Sequence, residues 1–243
     1  MSDNEKAVPK KVDVSIVIPT REEAANITLV LDELGAAMSA SPYAYEVIIV
    51  DEHSKDKTDE IAARYPFVKV IYNTNGPGKG AALRCGFDIA RGQYMVMMDA
   101  DYSHDANDLP AMIETAKRTN GLVVGSRIYG GSAEYTPVRA FGNIMLTYLF
   151  GVCHGRFLSD ALNGFKAFQR DIYDHFEYTS KAFEIEIELL ANALRMGRTI
   201  TEIPSHERAR FGGVPKSSVI RHGTRFAWRI LAERYRHPTV KRA

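Results

Sequence analysis

Met95-Val96-Met97-Met98-Asp99-Ala100-Asp101-Tyr102-Ser103-His104 opens with four apolar residues in a row and then turns abruptly into two carboxylates two positions apart. A short unbroken apolar run fits a strand buried on both faces of a sheet. Carboxylates directly behind such a strand stand at its C-terminal end, where open α/β sheets hold their ligands. Two of them there attract a hard divalent cation, and the cation in turn attracts phosphate. A polar cap leading into the next helix accounts for the same residues, because a bare Asp-x-Asp recurs by chance. The surroundings decide between the two.

Upstream, residues 12–18 alternate into a buried strand stopped by Pro19-Thr20, and apolar residues at helical spacing follow over 22–38. A second strand over 45–50 ends at Asp51-Glu52, and a third lies at 68–72 after a short helix over 57–64. Gly76-Pro77-Gly78-Lys79-Gly80 is a tight turn opening a helix over 81–90. It lacks the G-x-x-x-x-G-K-[ST] spacing of a P-loop, which argues against an NTPase. Downstream come a helix over 109–119 and a buried strand over 122–127. This rhythm predicts a Rossmann-like α/β architecture, a mostly parallel sheet with helices on both faces. Its C-terminal rim collects Pro19-Thr20-Arg21-Glu22, Asp51-Glu52, Asp99-Ala100-Asp101 and Arg127.

Past Gly130 the rhythm changes. A loop around Gly130-Gly131-Ser132 leads to an apolar helix over 139–152, a short strand over 164–168, a helix over 182–196 and a strand over 199–204. A basic helix over 217–236 closes the pattern. The expected organisation is a loose stretch over 1–11 and one domain over 12–243. Residues 12–130 would form its ligand-binding half and 131–243 a second half with C-terminal helices.

Composition is that of an ordinary soluble domain, 45% hydrophobic and 25% charged with net charge +1, and no stretch reaches the length of a membrane span. The near-neutral total conceals a gradient. Residues 205–243 carry ten Lys/Arg against two Asp/Glu, so the remainder holds 21 against 28. A basic tail on a mildly acidic body suggests an anionic partner, with a solvated helix face as the plainer account. Two cysteines, Cys85 and Cys153, form no metal or disulfide framework, and the opening residues do not form a signal peptide. A cytoplasmic location is expected.

Taken in order, Ile18-Pro19-Thr20-Arg21-Glu22-Glu23-Ala24-Ala25-Asn26-Ile27, Val50-Asp51-Glu52-His53-Ser54, Gly78-Lys79-Gly80, Met98-Asp99-Ala100-Asp101 and Val124-Gly125-Ser126-Arg127 resemble the motifs of family 2 glycosyltransferases, which have the GT-A fold. The second half narrows the likeness to dolichyl- and polyprenyl-phosphate mannosyl- and glucosyltransferases through Arg139, Asp160-Ala161-Leu162-Asn163-Gly164-Phe165, Phe183-Glu184-Ile185-Glu186, Glu202-Ile203-Pro204 and Arg208. The resemblance implies a nucleotide-diphosphate sugar donor, GDP-mannose or UDP-glucose, with a polyprenyl or dolichyl phosphate acceptor. It implies a nucleotide-sugar pocket formed by Pro19, Thr20, Glu22, Asp51, Lys79, Asp99, Ala100, Asp101, Arg208 and Lys216. Asp99 and Asp101 would hold Mg²⁺ or Mn²⁺, and Arg127 and Arg139 would grip the acceptor phosphate by forked hydrogen bonds. Asp101, Arg127, Arg139 and Asp160 are the catalytic candidates.

The chain departs from the family pattern at Glu52, where many relatives have Asp, at Ser103, where mannosyl enzymes often have Gln, and across Gly212-Gly213-Val214-Pro215-Lys216-Ser217. Donor sugar and base stay open for that reason. A phosphate acceptor is already ionised near neutrality and needs no protein base. A hydroxyl acceptor would need one, and Asp160 is the carboxylate that motif position favours, its plainer role being to orient the Asn163-Gly164-Phe165 turn. Within 184–188, one glutamate of Glu184, Glu186 and Glu188 is expected to face inward. The apolar helix over 141–152 and the basic helix, with Phe226, Trp228, Ile230 and Leu231, suit peripheral contact with a membrane surface. A membrane-anchored partner subunit would serve the same end. A sugar nucleotidyltransferase would want a glycine-rich basic signature where Pro19-Thr20-Arg21-Glu22 stands. Nucleic acid is not an expected partner.

Overall fold

The computed structural model describes residues 11–212 and 219–241. The loose stretch expected over 1–11 falls almost wholly outside them, as do Lys216 and the expected start of the basic helix at Ser217.

Seven strands make one sheet: β1 (Val14–Thr20), β2 (Tyr45–Asp51), β3 (Val68–Tyr72), β4 (Tyr94–Met97), β5 (Leu122–Ser126), β6 (Lys166–Gln169) and β7 (Ile200–Pro204). Their order is β3-β2-β1-β4-β6-β5-β7. All neighbouring pairs are parallel except those of β6, which runs antiparallel to both β4 and β5. The expected mostly parallel α/β sheet is therefore observed, and the second half of the chain adds β6 and β7 to the sheet begun by the first.

Alternation along the central strands explains the layering. Ile16, Ile18, Val96 and Met98 pack on one face, with α1 (Ala24–Ser39) and α4 (Leu109–Thr119). Val17, Met95 and Met97 pack on the other, with α3 (Lys79–Ile89), α6 (Pro137–His154), α8 (Ile185–Arg195) and α9 (Val219–Tyr235). Strands buried on both faces are apolar along most of their length: β4 is apolar throughout, and β1 admits only Ser15, whose hydroxyl donates to Glu46 at 2.6 Å, and its terminal Thr20. The short helices α2 (Thr58–Ala62), α5 (Arg127–Gly130) and α7 (Arg170–Asp174) complete the described elements.

Two features place the site. The chain leaves β1 for β2 on one side while β4 flanks it on the other, so a crevice opens beyond the carboxyl ends of β1 and β4. Because β6 is antiparallel, its first residue, Lys166, lies opposite Met97 of β4 and Val124 of β5. The turn preceding β6, Asp160 to Phe165, is thereby delivered between Asp99 and Arg127 at the same rim.

Candidate active site

A pocket of about 500 Å³ occupies this rim. Pro19 and Thr20 border it from β1, Lys79 from α3, Asp99, Ala100 and Asp101 from beyond the end of β4, Arg127 from directly after β5 and Arg139 from α6. The structure thus brings together eight of the residues named from sequence. Asp51, Glu22 and Arg208 stand elsewhere, and Asp160 lies behind the wall.

Asp51 is fully buried. Its carboxylate accepts from the Thr20 hydroxyl at 2.9 Å and from the Ser54 hydroxyl and backbone N–H at 2.6 and 2.7 Å, so it ties the ends of β1 and β2 together. Its neighbour Glu52 borders the pocket instead. Glu22, at φ 52°, turns toward the loop after β2, where its carboxylate accepts from the Lys55 N–H. Arg208 grips Glu33 and Asp105 and lies over the Tyr102 ring, outside the pocket lining. Two residues on, Arg210 lines the pocket, donating to Asp101 Oδ2 at 2.9 Å and to both Glu23 oxygens at 3.2 Å. Lys216 lies outside the described residues.

Lys79, Arg127, Arg139 and Arg210 of the pocket wall each hold a carboxylate. Lys79 Nζ sits 2.6 Å from Asp99 and 2.9 Å from Glu186. Burial alone would lower the Lys79 ammonium and raise the Asp99 carboxyl, but their mutual attraction outweighs it and moves both the other way, toward the charged pair. Gly164 makes this cluster possible: a methyl group there would come 2.5 Å from Lys79 Nζ and 3.0 Å from Asp99 Oδ2. The Gly78-Lys79-Gly80 turn owes its glycines to a close approach too, to the backbone of Lys181 and Ala182. Arg139 reaches Glu134 at 3.4 Å.

Arg127 is held hardest. Asp160, entirely buried, takes its Nε at 2.7 Å and its Nη2 at 2.8 Å, while Nη1 donates to Glu207 at 3.1 Å. Asn143 of α6 donates to the same Asp160 at 2.8 Å and to the Tyr135 hydroxyl at 2.6 Å, and the Arg127 guanidinium lies 5.0 Å from the Tyr135 ring. Burial pushes the Asp160 carboxyl upward, yet the Arg127 hydrogen bonds overcome it and hold the group below the usual carboxylate range.

Sequence reasoning missed Arg210, Glu207, Tyr135 and Asn143. Asn143 alone carried a signal, a polar residue one turn after Arg139 in a largely apolar helix. The glutamates of α8 need a correction: both Glu186 and Glu188 are buried, the first against Lys79 and the second against Arg229 and Arg236. The basic helix is corrected likewise. Arg229 and Arg236 turn inward to Glu188 and Glu233, and Phe226 and Ile230 pack on the domain, leaving Trp228 and Leu231 exposed.

Asp99 and Asp101 offer hard oxygen donors at the strand end. Among the described residues no group of three or more His, Cys, Asp or Glu forms a ready metal cage. Two carboxylates are what a Mg²⁺-type ion needs when phosphate oxygens and water complete its shell. The donor set therefore fits an ion that arrives with a diphosphate and competes with Lys79 and Arg210 for these carboxylates.

An α/β sheet with acidic residues beyond β4 and arginines across the rim places a charged pocket where open α/β folds hold their ligands. The sequence profile described as "Glycosyl transferase family 2" matches residues 15–176, two thirds of the chain, and the protein belongs to that family. The dolichol-phosphate mannosyltransferase of Pyrococcus furiosus is 32% identical over 186 residues, 73% of this chain and 52% of that one. The polyprenol monophosphomannose synthase of Mycolicibacterium smegmatis is 30% identical over 220 residues, 84% of this chain and 80% of that one. The chain thus spans about half the length of the Pyrococcus relative. Among solved structures, glucosyl-3-phosphoglycerate synthase from Mycobacterium tuberculosis, in complex with Mn²⁺, UDP and phosphoglyceric acid, superposes with a TM-score of 0.74. That match covers 92% of this chain and 79% of that one at 18% identity, a likeness of fold.

Proposed function

We propose that this chain transfers a hexose from a nucleotide-diphosphate sugar, GDP-mannose or UDP-glucose, to a polyprenyl or dolichyl phosphate, inverting the anomeric configuration. The observation that carries the reading is the state of Asp160. The carboxylate that a hydroxyl acceptor would require as its base is sealed from solvent and locked by Arg127. In its place the pocket presents two arginines, Arg127 and Arg139, suited to an acceptor that is already an anion. Relatives named for dolichol and polyprenol phosphates agree with this.

Pro19, Thr20 and Glu52 would shape the nucleotide side. Lys79 and Arg210 would leave their carboxylates and turn their charge on the diphosphate. A divalent ion held by Asp99 and Asp101, Mg²⁺ or Mn²⁺, would supply Lewis-acid neutralisation of the departing nucleoside diphosphate. Arg127, fixed by Asp160 and Glu207, and Arg139 would orient the acceptor phosphate toward the sugar.

The acceptor is also reached from outside. No helix among the described residues is long and apolar enough to cross a membrane. On α6, however, Val138, Phe141, Met145, Tyr148 and Val152 recur at alternating spacings of three and four and are all exposed, with Trp228 and Leu231 of α9 also bare. An apolar stripe of that regularity suits peripheral contact with a cytoplasmic membrane face.

The test is a transfer assay with purified protein, each donor in turn, Mg²⁺ or Mn²⁺, and either a polyprenyl phosphate or phosphoglyceric acid as acceptor. Metal-dependent lipid-linked product supports the reading and names the donor. Transfer to phosphoglyceric acid alone overturns it.

A further inference from the structure

Glycine weakens a helix interior, so a helical glycine calls for a reason. Nearly every described glycine has one. Gly151 of α6 has the Phe157 ring 2.4 Å from where a methyl group would sit, and Gly86 of α3 has Val17 at 2.4 Å. Gly76, Gly155 and Gly197 meet nothing nearby but occupy the left-handed region, at φ 83°, 72° and 67°. Among the described glycines only Gly142 and Gly223 have neither reason: their φ is ordinary, and a methyl group on either would find no atom within 4 Å apart from its chain neighbours and its own helix backbone.

Both stand inside helices, Gly142 in α6 and Gly223 in α9, and these two helices pack against each other. Both also border the active-site pocket. The α6 face that lines it runs from Arg139 through Gly142 and Asn143 to Leu146, passing from cation to hydrocarbon within two turns, roughly 10 Å. On the α9 side Gly223 is followed one turn later by Phe226, and Leu162 and Phe183 extend the apolar lining. The pocket therefore has a charged end and an apolar arm, and the unexplained open space lies along the arm.

We propose that Gly142 and Gly223 form a slot between α6 and α9 through which the aliphatic chain of a long-chain alkyl or isoprenyl phosphate leaves the pocket, its phosphate lying at the Arg127 and Arg139 end. This rests on the phosphate-acceptor reading above and deepens it by giving the chain a path. Two side chains are withheld where the chain passes, and the same helix α6 carries an exposed apolar stripe. The pocket's lining suits a ligand with an anionic head and a hydrocarbon tail, and a compact anion would leave the arm unused.

Binding of decyl phosphate and of methyl phosphate, measured by calorimetry on the wild type and on Gly142→Leu, Gly223→Leu and the two alanine variants, separates these cases. The wild type should prefer decyl phosphate by at least about tenfold, since each buried methylene adds to affinity. That preference should fall below about threefold in the leucine variants and persist in the alanine variants, whose added methyl removes little space. Methyl phosphate affinity and melting temperature report in parallel whether each variant is intact. A wild type without chain-length preference overturns the slot whatever the variants do, and so do folded leucine variants that retain the preference. A decyl preference lost in the leucine variants, in a protein that transfers no sugar to polyprenyl phosphate, upholds the slot and sinks the transfer reading alone. Efficient lipid transfer that is indifferent to both leucines does the reverse.

Discussion

Arg127 and Asp160 meet in a forked pair, Nε to Oδ2 at 2.7 Å and Nη2 to Oδ1 at 2.8 Å, with the carboxylate wholly out of solvent. Such a pair fixes a guanidinium plane, and the Nη1 bond to Glu207 at 3.1 Å braces it from the other side. Removing one member of a buried pair strands the other, at a cost of about 3–5 kcal/mol. Asp160→Ala should lower the melting temperature clearly and raise the acceptor KM, with donor binding largely kept. Because the Asp160 pKa is depressed, its stabilising contribution is present above the ordinary carboxylate range and is lost as pH falls through the lower folded value. The gap between wild type and Asp160→Ala should therefore close in acid. An Asp160→Ala enzyme of wild-type stability and acceptor KM would contradict the positioning role.

Arg139 is half-exposed and bound only loosely to Glu134. Its loss should spare the fold. Arg139→Ala should lower kcat/KM for the acceptor by about 10- to 100-fold, the worth of one charge-assisted hydrogen bond, and leave the donor KM nearly unchanged. Equal losses on both substrates would move Arg139 to the donor side.

Arg210 donates to Asp101, a carboxylate suited to the divalent ion. Without its donor, the ion must compete with that guanidinium. Arg210→Ala should therefore bind Mn²⁺ alone about tenfold more tightly while turning over the donor more slowly, because the cation that would meet the diphosphate is gone. Unchanged Mn²⁺ affinity by titration would show that Arg210 does not guard the carboxylate.

The strand–helix rhythm was legible because parallel strands buried on both faces carry near-continuous apolar runs, 16–19 in β1, 47–50 in β2, 94–97 in β4 and 122–124 in β5, with polar residues kept mainly to the strand ends. The direction of β6 was not. Lys166 to Gln169 reads the same either way, and only its neighbours in space make it antiparallel. That reversal is what carries the 160–165 turn to the rim, so the Arg127–Asp160 pair was out of reach of local pattern. The two arginines of the 208–210 loop posed a similar problem. They stand roughly 7 Å apart on an extended chain, and where the loop crosses the rim decides which one meets Asp101. Arg229 and Arg236 looked like a solvated face because their partner Glu188 comes from another helix.

The exposed stripe on α6 makes a physical prediction of its own. Each large apolar side chain moved from water is worth about 1.5–3 kcal/mol. Phe141→Ser with Tyr148→Ser should therefore cut co-sedimentation with anionic vesicles by at least about tenfold. Thermal stability should stay close to that of the wild type, because both side chains are already in solvent. A wild type that ignores vesicles would refute direct membrane contact and favour a membrane-anchored partner.

Lys166 offers the sharpest dependence on pH. Its ammonium is fully buried, donating to the Ala161 carbonyl at 3.2 Å and to the Asn163 carbonyl, so it pins the turn that carries Asp160. Burial lowers its pKa to about 8. In the unfolded chain lysine keeps its proton to about 10.4. Between those values the unfolded state binds more protons at this position, so the group's contribution to stability rises with pH across that window. Below about 8 both states are charged and the full cost of burying the ammonium is felt. Denaturant unfolding of wild type and Lys166→Met at about pH 7.5 and about pH 10 should show the difference moving in favour of the wild type as pH rises. A difference that stays constant would mean that Lys166 keeps an ordinary pKa, and one that moves the other way would mean that its charge stabilises the turn. Acceptor KM measured on the same pair separates pinning from simple filling: a loosened 160–164 turn raises it, whereas a methionine that only fills the space leaves it alone.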